Sequence, residues 1–258
     1  MEKGSAKIGY ATKEKRGNTM RGIGTIVNVL AVLVGGGIGM LLKNGLKQRY
    51  QEILDQALGV TVIFIGAAGA MKGMLVISGN TLETAGTMRL IASMVLGALI
   101  GEWINIERWM ERFGEWLKRT VKGKNEPRFV EGFVTASLVI CVGAMAIVGA
   151  IQDGLLGDPS LLYAKAILDG VIVLVFASAY GKGALFSAIP VGILQGSVTV
   201  CAGFLEPHLN DAVISDLSFV GSVLIFCVGI NLCFGKRFRV GNMLPALLIA
   251  GLIRLFPL

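Results

Sequence analysis

Residues 157–170 read GDPSLLYAKAILDG, and the apolar run VIVLVFASAY continues the segment to residue 180. Asp158 and Pro159 are typical of a helix start, because aspartate caps free N–H groups and proline fits the first helical position. Lys165 and Asp169 follow four residues apart, so they share one face of that helix. The length and apolar character of the run predict a membrane-spanning helix that carries two charged residues.

The depth of Asp169 makes these two charges a candidate functional site. At 1.5 Å per residue its carboxyl lies roughly 14 Å from the helix start, near the middle of a ~30 Å hydrocarbon layer. An isolated carboxylate there costs about 2.5–3.5 kcal/mol or more, so it needs a partner or a water-filled cavity. Lys165 is the nearest candidate partner. We predict that the two side chains bind each other or a substrate.

The whole chain has the composition of a membrane protein. Its 258 residues are 54% hydrophobic and 16% charged, with a mean hydropathy of +0.72, whereas soluble domains are about 25% charged. Apolar stretches must be helical in lipid, because hydrocarbon offers the backbone no other hydrogen-bond partner. We predict one all-α domain over residues 20–258, a polytopic bundle of seven to eight transmembrane helices. The eight apolar stretches are 22–42, 57–77, 87–105, 131–151, 161–180, 183–204, 216–234 and the short 241–256.

The net charge of +7 follows the loops and does not indicate nucleic-acid binding. The loops 78–86, 152–160 and 205–215 contain no Lys or Arg, whereas the alternate loops are basic. The positive-inside rule therefore places the basic loops in the cytoplasm and, with eight spans, both termini outside. Six basic residues within 1–21 conflict with that placement. Either translation begins at Met20, or residues 1–19 form a disordered tail.

Two segments in the basic loops are predicted to be helices that lie in the membrane surface. Over 106–119 the apolar and charged residues fall on opposite helix faces, and all three tryptophans of the chain lie in or next to this segment. The segment 46–56 shows the same pattern more weakly. We interpret both as anchors of the bundle, with lipid sensing or partner binding as the alternative.

Glycine patterns predict close helix packing and suggest internal repetition. The pieces IFIGAAGA (63–70), ICVGAMAI (140–147) and FCVGINLC (226–233) share an apolar pair before a glycine, and the third hairpin runs opposite to the first two in the predicted topology. Inverted hairpin repeats are typical of secondary transporters. Small-xxx-small pairs let helices approach within the chain or in a homo-oligomer. These pairs are Gly35/Gly39, Gly69/Gly73, Gly97/Gly101 and Gly192/Gly196.

A few polar residues inside the apolar stretches are further candidates for binding. Gln195 lies near the middle of its stretch, five residues after Pro190, and Asn28 lies one or two turns into the first stretch. Hydrogen bonding between helices is the alternative for both residues, and Asn242 could instead cap a helix. The candidate substrate-binding residues are Asp158, Lys165, Asp169, Gln195, Asn28 and Asn242.

Several chemistries are not indicated by the sequence. The only histidine, His208, lies in a predicted loop, and the four cysteines lack CxxC spacing, so we predict no metal site. The chain contains no GxxxxGK[ST] motif, which argues against ATP-driven pumping. The GGGIG run at 35–39 lies inside an apolar stretch, so it is not a dinucleotide-binding loop. We expect no cofactor and no enzymatic activity.

Four pieces of the chain resemble the YqgA/YdfK-like bacterial inner-membrane proteins. They are GIGTIVN at 22–28, the IG of LGALIGE at 100–101, GDPSLLYAKAILD at 157–169 and NMLPALL at 242–248. The resemblance covers nearly all of residues 20–258 and implies a multi-pass protein of a bacterial inner membrane. That family has no known function, so the resemblance implies no substrate. Its members begin close to the GTIVN segment, which favours Met20 as the start.

The sequence leaves two function classes. The first is a secondary transporter or channel-like protein for a small solute or ion, suggested by the buried charges, Gln195 and the proline-interrupted helices. The second is a non-transporting membrane scaffold or regulator, in which the polar residues only hold helices together. The expected partners are the lipid bilayer, a small solute or ion, and a second copy of the chain.

Overall fold

The computed structural model describes residues 20–43, 48–78, 81–121, 126–205, 207 and 209–255. The predicted tail 1–19 and His208 lie outside these residues. The described chain is helical apart from one short β-hairpin. Its elements are α1 (Ile23–Lys43), α2 (Gln48–Met74), β1 (Leu75–Ser78), β2 (Thr81–Thr84), α3 (Thr87–Ile104), α4 (Ile106–Thr120), α5 (Phe129–Cys141), α6 (Ala144–Leu156), α7 (Ser160–Tyr180), α8 (Lys182–Leu185), α9 (Ala188–Val200), α10 (Ala202–Leu205), α11 (Asp211–Phe234), α12 (Val240–Met243) and α13 (Pro245–Leu255).

The lengths of these helices confirm the predicted polytopic all-α bundle. Six segments of the described residues are long and apolar enough to cross a membrane: α1, α2, α3, α7, α8 with α9, and α11. The pair α5 and α6 passes the same test as one broken span, bent by 63° at Val142 and Gly143. The segment Val240–Arg254, which contains α12 and α13, is apolar but shorter, so the described residues contain six spans, or seven with the broken pair, and the predicted eighth span is a short helix.

The short segment α12–α13 runs along the whole length of α3. At one end Arg239 pairs with Glu102 near the end of α3. At the other end Arg254 approaches Asp216 of α11, which also pairs with Arg89 near the start of α3. The segment is therefore antiparallel to α3 and reaches both ends of the bundle.

Glycines bring three pairs of helices into backbone contact. α1 packs parallel to α7, because Gly35 and Gly39 lie against the backbone of Gly170 and Leu174. α2 packs antiparallel to α11, with Gly66 against the backbone of Phe226. Three of the four predicted glycine pairs are thus used within the chain: Gly35/Gly39 on α7, Gly69/Gly73 on α11, and Gly97/Gly101 on α12–α13.

The two ends of the bundle differ in charge. The loops 78–86, 152–160 and 205–215 hold five acidic residues and no basic ones, and we call their end the acidic end. The other end, with the loops around α4 and before α12, is called the basic end. The hairpin α2–α3 starts at the basic end and the hairpin α11–α13 starts at the acidic end, and the internal repetition stays a prediction.

Two local features differ from the sequence-based expectation. Residues 48–56 do not form a separate surface helix but are the first turns of α2, because no proline or glycine interrupts the chain before Gly59. The loop after α2 is an antiparallel β-hairpin in which Leu75 pairs with Thr84. Its signal was the Gly-Asn dipeptide at 79–80 between two short strand-like runs.

The amphipathic helix predicted over 106–119 is present as α4. Leu117 is buried and packs with Phe129 and Phe133, so one side of α4 contacts the bundle. Trp109 and Trp116 are exposed. Indole rings favour the headgroup level of a bilayer, and their exposure agrees with a helix at the membrane surface.

Candidate functional site

Lys165 and Asp169 form a buried ion pair on one face of α7. Lys165 Nζ lies 2.8 Å from Asp169 Oδ1 and 2.7 Å from Asp169 Oδ2, so the ammonium donates to both carboxylate oxygens. The two residues are only 7% and 2% exposed, respectively, which places the pair inside the protein and away from lipid. This is the pairing predicted from the i, i+4 spacing.

A break in the neighbouring span supplies the third oxygen around Lys165. The hydrogen-bond ladder of α5 ends at Val142, whose N–H donates to the carbonyl of Leu138. The carbonyl of Ile140, just before the break, accepts a hydrogen bond from Lys165 Nζ at 2.8 Å. The ammonium is therefore held by three oxygens, one of them from the backbone of an interrupted helix. Interrupted helices bind cations in this way in transporters.

Asn28 connects α1 to the ion pair. Its Nδ2 donates to Asp169 Oδ2 at 3.0 Å, and the side chain is fully buried. The close parallel packing of α1 on α7 allows so short a side chain to reach across. Asn28 Oδ1 has no hydrogen-bond partner among the described residues.

A second polar layer lies between the ion pair and the acidic end, where α1, α6 and α9 meet. Asp153, near the end of α6, accepts a hydrogen bond from the backbone N–H of Gly24 at 2.9 Å and so caps α1. The hydroxyls of Thr25 and Thr199 are 3.4 Å apart. Gln195 lies one turn before Thr199 on α9 and is 1% exposed. Asn28 and Gln195 each lie about one turn deeper than these threonines. The two residues are therefore at a similar depth on the facing helices α1 and α9.

Aliphatic side chains close the basic side of this region. Val32, Val173 and Val191 lie on the same helices as Asn28, Asp169 and Gln195, respectively. Each valine is one turn closer to the basic end than the polar residue of its helix. They form one buried cluster with Ile140 and Ala188, and none is more than 5% exposed. The site is thus asymmetric, with polar groups toward the acidic end and an apolar seal toward the basic end.

The structure separates two of the predicted residues from this cluster. Asp158 lies in the loop before α7, where Ser160 donates to its Oδ1 from the hydroxyl at 2.6 Å and from the backbone N–H at 3.0 Å. The hydrogen bond from the Ser160 hydroxyl lowers the pKa of Asp158 most, and the hydrogen bond from the Ser160 backbone N–H lowers it further. Asp158 is the predicted start signal of α7 and lies about two turns before Lys165.

Asn242 lies at the basic end, in a network that ties three helices together. Its Oδ1 accepts from the backbone N–H of Glu107 at 2.8 Å, and its Nδ2 donates to Glu102 at 2.8 Å. Glu107 in turn accepts from the backbone N–H of Gly241 at 3.1 Å. Asn242 therefore joins α3, α4 and α12, as a packing residue would.

Lys236 extends this network at the protein surface. Its ammonium pairs with Glu107 and Glu111 beside a cavity of about 200 Å³. Partial burial alone would lower the pKa of Lys236, but hydrogen bonds and charge from the two carboxylates raise it above its ordinary value. The arrangement fixes α4 to the loop that follows α11.

The sequence analysis missed Asp153, Glu107 and the carbonyl of Ile140. Asp153 was counted as part of a loop without basic residues, and its partner lies 129 residues away in the sequence. The missed break does have a sequence signal, the glycine of ICVGAMAI. No group of three or more His, Cys, Asp or Glu side chains in the described ranges is arranged to hold a metal ion.

Comparisons with known proteins agree with the resemblance seen in the sequence. The family model described as "Protein of unknown function (DUF554)" matches residues 23–255. The chain is 32% identical over 226 residues to the uncharacterized membrane protein YdfK of Bacillus subtilis, covering 88% of this chain and 93% of YdfK. It is 31% identical over 232 residues to the uncharacterized protein YqgA of Escherichia coli, covering 88% and 94%. No solved structure matches the chain.

Proposed function

The chain belongs to the DUF554 family of proteins, and from its own geometry we propose that it is a secondary transporter or channel-like protein for a small solute or ion. The observation that carries the proposal is the buried pair of Lys165 and Asp169 against the interrupted span α5–α6. An ionisable pair at the depth of a membrane marks a substrate or ion path by default.

The asymmetry of the site supports this proposal. Polar side chains lead from the acidic end to the ion pair, and the cluster of Val32, Val173 and Val191 closes the other side. A polar site between helices, with an apolar seal on one side, fits the binding sites of secondary transporters, which lie near the middle of the membrane. The break at Val142 and Gly143 gives α6 a position at which it can move relative to α5.

The alternative is a non-transporting membrane scaffold or regulator. It is favoured by one observation, that the ammonium of Lys165 and both oxygens of Asp169 are already hydrogen-bonded within the protein. In that case the pair would only hold α1, α5 and α7 together.

Flux through reconstituted vesicles separates the two functions. Wild-type protein is placed in vesicles that contain a pH-sensitive dye or, in a parallel sample, a sodium-sensitive dye, and proton and sodium fluxes are measured under an imposed membrane potential. The variant with both Lys165→Met and Asp169→Asn is the critical comparison, because it removes both charges and leaves none unpaired. We expect wild-type flux and a folded, inactive double variant. A folded double variant with wild-type flux, or wild-type protein without any flux, overturns the proposal.

The remaining assignments follow from the same proposal. The protein lies in the bacterial inner membrane, with the basic end in the cytoplasm because Lys and Arg are retained on that side. It acts without catalysis and without a cofactor, and a homo-oligomer is compatible with the face around Gly196, where an added Cβ would meet nothing within 4 Å. A reporter fused after the last residue should be translocated, and a cytoplasmic reporter contradicts this orientation.

A further inference from the structure

Three buried acceptor oxygens lie on the helices that meet between the acidic end and the ion pair. Within the described part of the chain, Asp153 Oδ1, Asn28 Oδ1 and Gln195 Oε1 are buried and have no hydrogen-bond partner. They lie on α6, α1 and α9, the three helices that meet there. Buried polar atoms nearly always have a hydrogen-bond partner. Three buried oxygens without one, where these helices meet, therefore indicate a ligand that is coordinated by oxygen atoms.

The charge of this region is unbalanced. Lys165 and Asp169 neutralise each other, but no described Lys or Arg forms an ion pair with Asp153, which is 0% exposed. The one hydrogen bond described for its carboxylate comes from the backbone N–H of Gly24, where the N-terminus of α1 offers only a partial positive charge. A buried carboxylate without a full countercharge is costly, and a bound cation would remove that cost.

The chemistry of the oxygens selects the kind of cation. Carboxylate, amide and hydroxyl oxygens suit hard cations, and Thr25 and Thr199 add hydroxyl groups at the same level. One free carboxylate balances one positive charge, whereas divalent ions are bound by several carboxylates. An anion would be repelled by Asp153. A monovalent cation is the ligand that matches both the donor atoms and the charge.

We infer that Asp153, Gln195 and Asn28, with the hydroxyls of Thr25 and Thr199, form a binding site for a monovalent cation such as Na⁺ on the acidic side of the ion pair. The inference rests on the proposed function, since it names the coupling or transported ion of the same path. The loops at that end favour it, because they carry acidic residues besides Asp153 and no Lys or Arg, and acidic loops attract cations.

Thermal unfolding of the full-length protein in detergent tests the site. The melting temperature is measured while NaCl replaces choline chloride at constant ionic strength and constant pH. We expect a saturable rise of at least about 2 °C for the wild type, because a ligand that binds only the folded state stabilises it. The rise should be lost in Asp153→Asn and strongly reduced in Gln195→Leu, which is a second variant if the first does not fold.

Asp211→Asn is the matched control, because Asp211 is an exposed carboxylate at the same end and should keep the full response. Equal melting temperatures in sodium and choline overturn the inference. So does an unchanged response in Asp153→Asn, which would place the sodium elsewhere. A melting temperature that rises at low pH and ignores sodium assigns a proton to Asp153 instead and also overturns it. A sodium response without vesicle flux supports the cation site and contradicts the proposed transport. Vesicle flux without a sodium response supports transport and contradicts the cation site.

Discussion

The interface of α1 with α7 and the interface of α2 with α11 are packed in the same way but differ in their polar content. In both, glycines of one helix lie against the backbone of the other, Gly35 on Gly170 in the first and Gly66 on Phe226 in the second. Among the side chains that the structure describes, only the first interface contains buried charges. In the second, the hydroxyls of Thr61 and Ser222 bond within their own helices, Thr61 to the carbonyl of Ala57 and Ser222 to that of Ser218.

The comparison shows that close packing in this bundle does not need ions. If glycine contacts alone hold α2 on α11, they are also sufficient for α1 on α7. Lys165 and Asp169 are then an addition to the packing and not its basis. Since buried charges are expensive to insert, their presence at one of these two interfaces and not at the other supports a role beyond structure.

Removal of one charge should break the first interface most severely. Asp169→Asn leaves the ammonium of Lys165 buried with an incomplete set of partners, and we expect a loss of about 3–5 kcal/mol in the free energy of unfolding. Adding Lys165→Met should recover most of that loss, because two neutral side chains avoid the unpaired charge. Ser222→Ala at the second interface is the control and should have little effect. Unfolding curves in detergent give all four values, and equal stability of the single and double variants contradicts the coupling.

Added methyl groups should damage both interfaces to a similar degree. Gly35→Ala and Gly66→Ala each place a Cβ against backbone atoms that cannot turn away, so each should lose about 1–3 kcal/mol. Gly37→Ala is the matched control on α1, because nothing lies within 4 Å of its Cβ. It should be neutral or up to about 1 kcal/mol stabilising, since alanine favours helices. A loss at Gly37 equal to that at Gly35 would show that contact with α7 is not the cause.

Asn28→Ala should sharpen the comparison by removing only the hydrogen bond between α1 and α7. Side-chain hydrogen bonds in membranes contribute about 0.6 kcal/mol on average and up to about 1.7, and we expect a loss in that range. Thr61→Ala on α2, whose hydroxyl bonds within its own helix, should change stability by no more than about 0.5 kcal/mol. If Thr61→Ala is as damaging as Asn28→Ala, the contrast between the interfaces is wrong.

The surface ion pairs of Lys236 should give the smallest effect. Because its pKa is raised in the folded state, their contribution is present below the usual lysine pKa of about 10.4 and is lost as the pH rises through the raised value. Lys236 is more than half exposed, so the contribution should not exceed about 1 kcal/mol. Melting temperatures of wild type and Lys236→Gln should converge at alkaline pH. A difference that grows with pH contradicts this sign.

The spans and the central pair were predictable because they depend on local spacing. Apolar length identifies α1, α2, α3, α7 and α11, and the i, i+4 rule alone places Lys165 against Asp169. The start of α7 was predictable for the same reason, since Asp158, Pro159 and Ser160 are adjacent in the chain.

The partners from distant segments were not predictable. Nothing near Asp153 in the sequence indicates that it caps α1, and nothing near Ile140 indicates that its carbonyl binds Lys165. Both contacts depend on how whole helices pack, which one sequence does not specify. Asn242 was ambiguous for a related reason, because binding and packing use the same amide and only Glu102 and Glu107 decide between them.

The parallel contact of α1 with α7 has a consequence for biosynthesis. Asn28 and Asp169 are separated by 141 residues, and synthesis proceeds at about 5–20 residues per second. The first span therefore waits roughly 7–28 s after its own emergence before its partner exists. During that interval the amide of Asn28 is in lipid without Asp169, and the glycine surface around Gly35 is uncovered. The newly made N-terminal part of this protein should accordingly depend on membrane chaperones until α7 has been inserted.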